Sequence, residues 1–512
     1  MTSSSVFRMD IAISASWLLP LILTGIVAFL LWTKSRRNFP DKIPPFPSQP
    51  WPILGHFWEI RSISRDKMKA WRKAAGDIYS LDIGGELHIL VNDYNFIKEI
   101  WVKHADYIVN SQQSFAAEIL AESNKGIISA RDDNWKEQRT TSLSILRSFG
   151  MGKNVMAEKI QEEVSYTLEK LGSFKGQPED VRLLLNVSVS NVICSVAVGQ
   201  RFEHDDPYFV RFMILLRDAL KYNRSVAILT PFKYLYYLPG DLFHAKKWTK
   251  ASTEINERFG KVYINKLKQA FKENEDPENF VAAYIKEMKK LKDNGVDTNL
   301  SEENLVAIMR LLFLAGTETT SITILWCLLY MLHYPDVQEK VYREIEAHVG
   351  TERIPNMSDK PKLVYLNAVI METQRFASLI PVGIMREVSD TFELGGFTFP
   401  KGSILWPVLD SVHNEKKIWG DPENFRPERF IDANGALIHR EELIPFCIGR
   451  RMCLGMALAR MELFLFLSAM FQRFKFEPAD NSGILPTLKE SFGTSCVRQP
   501  YKIKFTSRRG LV

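Results

Sequence analysis

A short segment followed by an apolar run limits how this chain can fold more than any other feature. Residues 446–455 read Phe-Cys-Ile-Gly-Arg-Arg-Met-Cys-Leu-Gly, and residues 456–471 are apolar at all but three positions. Such a run is typical of a helix that is buried on all sides. Cys453 therefore lies at the start of a buried helix, where free backbone N–H groups and the helix dipole favour a thiolate.

The spacing Phe-x-x-Gly-x-Arg-x-Cys-x-Gly in this segment resembles the signature of the cytochrome P-450 family at every fixed position. The resemblance implies haem b as the cofactor, with Cys453 as its axial thiolate ligand. A thiolate in that place pushes electron density onto the iron and favours O–O cleavage. Cys447, six residues earlier, is interpreted as an ordinary small core residue.

The other fixed positions of the segment have physical roles in this resemblance. Gly449 can adopt backbone angles that other residues avoid, so the loop can fold tightly under the haem. Gly455 has no side chain, so the helix can approach the porphyrin. Arg451 can pair with a haem propionate, and Phe446 can shield the sulfur from water.

A second segment predicts one very long helix with a polar patch in its middle. Ser301 is a plausible N-cap and Pro335 follows the run, which gives more than thirty helical residues. A second membrane span is the alternative, but Thr317–Ser321 interrupts the apolar face, and a buried polar patch needs a use. Residues 315–320, Ala-Gly-Thr-Glu-Thr-Thr, resemble the oxygen-activation motif of the family.

That resemblance assigns roles to individual residues of the long helix. Thr319 is expected to hydrogen-bond the dioxygen and Glu318 to connect to a water chain that delivers protons. Ala315 is expected to lie beside the haem. Gly316 and its hydroxyl-bearing neighbour are expected to let the helix open locally.

Further haem and core contacts are implied elsewhere in the chain. Trp135 and Arg139 stand four residues apart, on one face of a predicted helix, and by resemblance both reach a propionate. Arg386 stands where related sequences usually have histidine and could pair with a propionate as well. Glu372-x-x-Arg375 resembles the Glu-x-x-Arg motif of the family; with Arg429 it would form a buried structural network.

The substrate is the least constrained part of the prediction. By resemblance the distal side of the haem is lined mainly by apolar residues, so the substrate should be apolar too. A steroid, a fatty acid or a foreign lipophile all remain open. The positions are Phe115, Leu379, Ile380, Gly383, Ile384 and Thr494, together with Ala315.

The N-terminus predicts a membrane anchor. Ile11–Trp32 is an apolar run that would span about 33 Å as a helix, whereas the apolar region of a cleaved signal peptide should be shorter. Basic residues follow the run, which places the rest of the chain in the cytosol. We therefore predict an anchor at 1–33, a basic and proline-rich linker at 34–55, and one haem-binding monooxygenase domain at 56–512.

The rest of the sequence favours a mainly α fold with a small β-rich lobe, the cytochrome P-450 fold. Residues 78–91 carry Gly84-Gly85 and predict a hairpin; further strands are expected near 392–399 and 403–409. Between them the pattern is mainly helical. Residues 231–239, rich in aromatics, could contact the membrane or could equally be a packed loop.

The implied activity is that of a monooxygenase that inserts one O2-derived atom into a lipophilic small molecule. No dinucleotide-binding glycine motif is present, so the electrons must come from outside the chain. The resemblance implies a membrane-bound NADPH-cytochrome P-450 reductase as their source, with cytochrome b5 open as a second donor. Arg450 and Lys136 are candidate docking contacts.

The net charge of +6 is too diffuse to suggest nucleic acid. The endoplasmic reticulum membrane is the expected location.

Three alternatives to that activity stay open. A haem-thiolate isomerase or dehydratase would work without O2, a haem sensor or carrier would lack catalysis, and a structural membrane protein would lack haem. Glu318 and Thr319 argue against the first two, because neither function needs an acid–alcohol pair.

Overall fold

The computed structural model describes residues 18–29, 39–51, 54–152, 154–227, 229–272, 275–480, 482–491 and 495–508. The α-helices are, in chain order, α1 Leu18–Phe29, α2 Phe57–Arg61, α3 Arg65–Ala75, α4 Tyr94–Lys98, α5 Phe115–Ile119, α6 Asp132–Ser148, α7 Asn154–Ser173, α8 Arg182–Ala197, α9 Pro207–Ala227, α10 Ala245–Ile255, α11 Val262–Ala270, α12 Phe280–Asp293, α13 Glu302–His333, α14 Pro335–His348, α15 Val364–Ala377, α16 Leu409–His413, α17 Lys416–Trp419 and α18 Met456–Arg473. The strands are β1 Ile78–Ile83, β2 Glu86–Val91, β3 Arg386–Glu387, β4 Phe392–Leu394, β5 Phe397–Phe399, β6 Ile404–Pro407, β7 Phe474–Pro478, β8 Glu490–Ser491, β9 Val497–Arg498 and β10 Ile503–Ser507. The 3₁₀-helices are Ala105–Ile108, Thr230–Tyr237, Met357–Lys362 and Pro427–Phe430, and the π-helices are Glu99–Lys103 and Asn256–Lys261.

The strands form four small sheets beside the helical body. The predicted hairpin is confirmed: β1 and β2 pair antiparallel, and Gly84 and Gly85 turn the chain at φ 60° and 89°. β6 joins β2 in parallel and β3 completes the order β1-β2-β6-β3. The strands expected near 392–399 and 403–409 are present as β4, β5 and β6. The mainly helical body with a strand-rich lobe is therefore confirmed.

The helix α13 is the centre of the hydrophobic core. Its 32 residues begin after Ser301, whose hydroxyl accepts a hydrogen bond from Asn304 N at 3.2 Å as predicted. It ends before Pro335, which begins α14. From residue 320 to 332 every side chain is buried. Within the described residues α13 alone is long and apolar enough to cross a membrane, and most of it is buried in the protein.

The Glu–Arg–Arg network is confirmed beneath this core. Arg375 donates Nε and Nη2 to the two carboxylate oxygens of Glu372, both at 2.7 Å, and both residues are fully buried. Arg429 Nε adds a hydrogen bond to Glu372 Oε1 at 3.1 Å. Because a buried charge is tolerated only when paired, the network fixes α15 against the single-turn helix Pro427–Phe430.

The described part of the predicted anchor is α1, an apolar helix whose side chains are all exposed. Its twelve residues would span about 18 Å, which is shorter than the hydrocarbon core of a bilayer. The other residues of the predicted span from Ile11 to Trp32 lie outside the described residues.

Candidate active site

The Cys453 loop follows the short helix Pro427–Phe430 in the chain and leads directly into α18. The backbone N–H of Cys453 donates to Phe446 O at 3.0 Å, which closes the loop on itself. Gly449 adopts a φ of 82°, and a Cβ there would lie 2.1 Å from Trp101 O, so only glycine fits. Gly455, by contrast, faces open space. The fold of the loop therefore requires glycine at position 449, whereas Gly455 has open space beside it.

Cys453 as a whole residue is exposed, although its sulfur lies close to the loop that surrounds it and residues 461–471 of the following helix are all buried. Burial of the sulfur within the loop raises the pKa of Cys453, against the opposing effects of the Gly455 backbone N–H and the Arg139 charge. The favourable effect of the helix start is therefore present, but desolvation outweighs it. A cation bound to the sulfur would favour the thiolate.

Three arginines, Arg451, Arg386 and Arg139, lie close together near the loop, and in the described part of the chain none of them forms an ion pair with a carboxylate. Burial, followed by the charges of Arg386 and Arg139, lowers the pKa of Arg451 to about 8. Burial lowers the pKa of Arg386 to about 10 and also lowers that of Arg139. Arg451 lies over the Trp135 ring, 4.0 Å from the ring centroid. These four residues, predicted from three distant segments, are therefore brought together.

The contacts of these residues show which donors remain available. Arg451 donates to the carbonyls of Val109, Ile127 and Ala130 at 2.8 to 2.9 Å, which leaves two of its five N–H groups. Arg139 donates to Met452 O at 2.9 Å.

Two donors near these arginines are unused. Arg386 donates to Ser111 Oγ at 2.5 Å, but its Nε is buried without a hydrogen-bond partner, and so is Nε1 of Trp135. Buried donors normally have partners.

These observations fit the haem that the sequence implies. A group of arginines without carboxylate partners, with unused N–H donors beside it, can bind two propionates. Cys453, an exposed residue, can supply the sulfur ligand of the iron. Ala315, in the middle of the buried helix α13, is exposed as well, as is Ile384. Open space beside these buried elements is what a large flat group would fill.

The motif of α13 has a different local geometry from the one expected. The helix is continuous through Gly316, without the expected opening. A Cβ at Gly316 would lie 2.8 Å from Ile193 Cδ1, so the glycine allows α8 to pack closely. The Thr319 hydroxyl donates to Ala315 O at 2.6 Å, a bond that satisfies it within the helix.

Glu318 points towards α8, where sequence reasoning identified no partner. Asn186 Nδ2 donates to Glu318 Oε1 at 3.4 Å. Burial raises the pKa of Glu318, and the charges of Arg182 and Arg217 and the Asn186 hydrogen bond oppose that shift. The sequence did not single out Asn186, because α8 carries several other polar residues, among them Ser188, Ser190 and Asn191.

The substrate candidates have mixed surroundings. Phe115 is buried and its ring centroid lies 5.5 Å from that of Tyr236. Leu379 and Ile380 are half-buried. Gly383 is buried against Pro407, whose Cγ would lie 2.8 Å from an added Cβ. Thr494 lies outside the described residues, so these positions stay a prediction.

Glu462 is a second buried acid that sequence reasoning did not assign. It is 1% exposed in α18, and Thr320 Oγ1 donates to its Oε2 at 3.1 Å. Burial raises the pKa of Glu462 from 4.5 to about 8. The contact joins the helix after the Cys453 loop to the residue next to Thr319. A lone acid in an apolar run was the available signal.

Comparisons with known proteins agree with one another. A sequence model of the family described as Cytochrome P450 matches residues 44–505. The chain is 34% identical to cytochrome P450 2U1 of Homo sapiens over 515 residues, which cover 95% of this chain and 93% of that protein. It is 36% identical to cytochrome P450 2J3 of Rattus norvegicus over 476 residues, 90% and 91% of the two chains. In each pair the similarity extends over almost the full length of both proteins.

Proposed function

Because this chain belongs to the cytochrome P450 family, we propose that it is a membrane-bound monooxygenase acting on a lipophilic small molecule. Membership makes it a haem-thiolate enzyme. The substrate, the electron donor and the residue roles below are our proposal. The observation that carries it is the group of Arg451, Arg386, Arg139 and Trp135 near Cys453, which is an exposed residue. When bound, haem supplies O2 activation, which the thiolate favours.

The proposed roles of the haem-binding residues follow from their contacts. Cys453 supplies the sulfur ligand, and Trp135 Nε1 and Arg386 Nε are unused donors for propionate oxygens. Arg451 adds its two remaining N–H groups while it holds three backbone carbonyls. Phe446 covers the loop, and Arg460 lies over its ring at 5.5 Å.

The proposed proton path begins at Glu318. Its raised pKa keeps the carboxyl protonated to a higher pH than in an ordinary glutamate, so a larger fraction of it is present as a proton donor. Asn186 holds one carboxyl oxygen in place. Thr319 already donates its hydrogen to Ala315 O, so its oxygen can accept a hydrogen bond from a water or hydroxyl at the reacting atoms.

Electrons are proposed to come from an NADPH-cytochrome P-450 reductase, with cytochrome b5 as a second donor. Lys136 and Arg450 are exposed near the Cys453 loop, and Arg450 already pairs with Asp106 at 2.5 Å. Exposed charges of this kind steer association more than they add affinity.

Membrane attachment is proposed through the N-terminal run and an aromatic surface. The side chains of α1 are apolar and exposed on every face, which suits lipid better than water. The aromatic surface comprises Trp58, Tyr234, Tyr237, Leu238 and Leu242, all at least half exposed or nearly so. Arg61 lies over the Trp58 ring and over the ring of Phe243, the neighbour of Leu242, and so links Trp58 to the part of this surface at 234–242. We propose the endoplasmic reticulum membrane, with the catalytic domain in the cytosol.

The deciding experiment is turnover of the purified full-length protein with reductase and NADPH, screened by mass spectrometry against steroids, fatty acids and foreign lipophiles. We expect an oxygenated product whose added atom derives from 18O2. Product formation that is independent of both reductase and O2 would instead indicate an isomerase or dehydratase.

Cys453→Ser provides the matched test of the ligand. We expect loss of the red-shifted band of the reduced, CO-bound protein and loss of turnover by more than about 100-fold, because the thiolate is removed. Cys447→Ser, six residues away in the same loop, should retain both. A Cys453→Ser protein with an unchanged CO spectrum would contradict the assignment.

A further inference from the structure

Glu122 is a buried carboxylate at which three separate elements meet. It is 6% exposed and lies between α5 and α6. Arg310 of α13 donates Nε to Glu122 Oε1 at 3.0 Å, and its Nη2 contacts Oε2. Asn256 Nδ2 also donates to Oε1 at 3.0 Å. We call Glu122, Arg310 and Asn256 the Glu122 junction.

The segment that carries Glu122 lies along one face of α13. Four residues on, Gly126 N donates to Asn304 Oδ1 at 2.8 Å, and a Cβ at Gly126 would lie 3.0 Å from that of Ala307. Asn304, Ala307 and Arg310 recur every three residues and so share a helix face. The segment is thus attached to α13 at two successive turns.

The third element of the junction is an unusual helix. Asn256 is the first residue of the π-helix Asn256–Lys261, which lies between α10 and α11. Wide turns of this kind are rare and often lie at functional sites. In the same turn Gly260 meets α13, where an added Cβ would lie 3.2 Å from Val306 Cγ1. The π-helix therefore lies against α13 beside Arg310.

The helices next to the junction, α5 before Glu122 and α10 before Asn256, share one apolar cluster with α9. Phe115 of α5, Val226 of α9, and Ala245 and Trp248 of α10 pack together with Leu229. We call this cluster, the segment after α5 and the π-helix the roof. Arg310 precedes Ala315 by only five residues, so the junction fixes the roof to α13 close to the site.

We propose that Glu122 is a positioning residue that holds the roof closed on α13 and thereby sets how readily a bulky lipophile reaches the side of α13 that carries Ala315. The inference rests on the proposed function for the location of that site. Apolar contacts alone allow sliding, whereas a bidentate ion pair fixes both direction and distance. Removing one partner leaves the other charge buried and unpaired, which favours opening.

Hydrogen–deuterium exchange of the full-length, haem-loaded protein tests the closed state directly. We expect Glu122→Gln and Arg310→Gln each to accelerate exchange in residues 116–126 and 256–264 on the order of tenfold. The double variant should exchange more slowly than Arg310→Gln, because neither charge is then left alone. Glu287→Gln is the matched control, since it removes an exposed pair with Lys290 within α12 and should change neither segment.

A ligand-binding rate gives a second readout. We expect 4-phenylimidazole to bind the Glu122→Gln protein several-fold faster than wild type, while imidazole, which is small, binds both equally. Wild-type exchange in both segments of both single variants would overturn the inference. A protein without the thiolate-type CO spectrum would instead overturn the proposed function, and exchange in the two segments would still decide the role of Glu122.

Discussion

Thr319 has its hydroxyl hydrogen bonded within its own helix, and this geometry predicts a specific defect. In Thr319→Ala the oxygen that accepts a hydrogen bond is lost, while Cys453 and the propionate donors are untouched. We expect a normal CO spectrum, with electrons from NADPH diverted to hydrogen peroxide. Peroxide formed per NADPH consumed should rise several-fold. Thr319→Ser keeps the hydroxyl and should stay close to wild type; equal peroxide yield in all three proteins would contradict the role.

Glu318 should give turnover a dependence on pH whose direction follows from its pKa. Because that pKa is raised, the protonated donor is present at low pH and is lost as pH rises through the raised value. We therefore expect product formed per NADPH to fall with rising pH. Glu318→Gln, which cannot give up a proton, should be slow at every pH.

Asn186 provides the matched test of the Glu318 profile. Its hydrogen bond opposes the upward shift of the Glu318 pKa, so Asn186→Leu should move the fall in activity to higher pH. A shift to lower pH, or none, would exclude the contact as a determinant of that pKa. The pH profile separates this role from general destabilisation, which would lower activity without moving the midpoint.

At the scale of secondary-structure elements, the contact between α13 and α18 predicts how stability depends on pH. The pKa of Glu462 is raised from 4.5 to about 8 by burial. Between these values the folded chain keeps a proton that the unfolded chain loses, so the stabilisation is complete below about pH 4.5 and decreases as pH rises towards 8. Glu462→Gln does not titrate. The free energy of unfolding of Glu462→Gln, taken relative to that of wild type, should therefore increase by on the order of several kcal/mol from pH 5.5 to pH 8.

Urea unfolding at the two pH values measures this difference. The exposed Glu423, changed to glutamine, is the control and should show the same pH dependence as wild type. Parallel curves for wild type and Glu462→Gln would mean that this carboxyl is not kept protonated by the fold.

The elements themselves were largely predictable, because their signals are local. The hairpin at Gly84-Gly85, the N-cap Ser301 and the buried run of α18 each follow from neighbouring residues. In the site, diagnostic spacing identified Cys453, whose role as haem ligand stays a prediction, and brought Arg451 and Arg139 into the same prediction. Contacts between partners distant in sequence were not predictable: Arg451 donates to carbonyls more than 300 residues away, and nothing near Glu122 in the sequence indicates Arg310. Helical periodicity also could not distinguish an opened α13 from the continuous helix observed.

At the scale of the whole molecule, the aromatic surface lies on a segment that is both packed and exposed. Phe232 packs on Phe57 with ring centroids 5.0 Å apart, whereas Tyr234 and Tyr237 are 79% and 73% exposed. The packed-loop interpretation of residues 231–239 is therefore confirmed for Phe232, and the membrane contact stays a prediction for Tyr234 and Tyr237. One side of the segment fixes it to α2, and the other presents aromatic rings, which are favoured at a membrane–water interface.

This arrangement predicts that Tyr237, and not every exposed apolar residue, contacts lipid. Burial of apolar surface stabilises by about 25 cal/mol per Å², so several such side chains together can hold the surface against a bilayer. We expect a polarity-sensitive dye on Tyr237→Cys, in full-length protein in vesicles, to shift to the blue and to be quenched by spin-labelled lipid. Ile484→Cys, at a residue 80% exposed outside the aromatic surface, should show neither effect. Equal quenching at both positions would indicate non-specific adsorption, and no quenching at Tyr237 would leave the N-terminal run as the sole attachment.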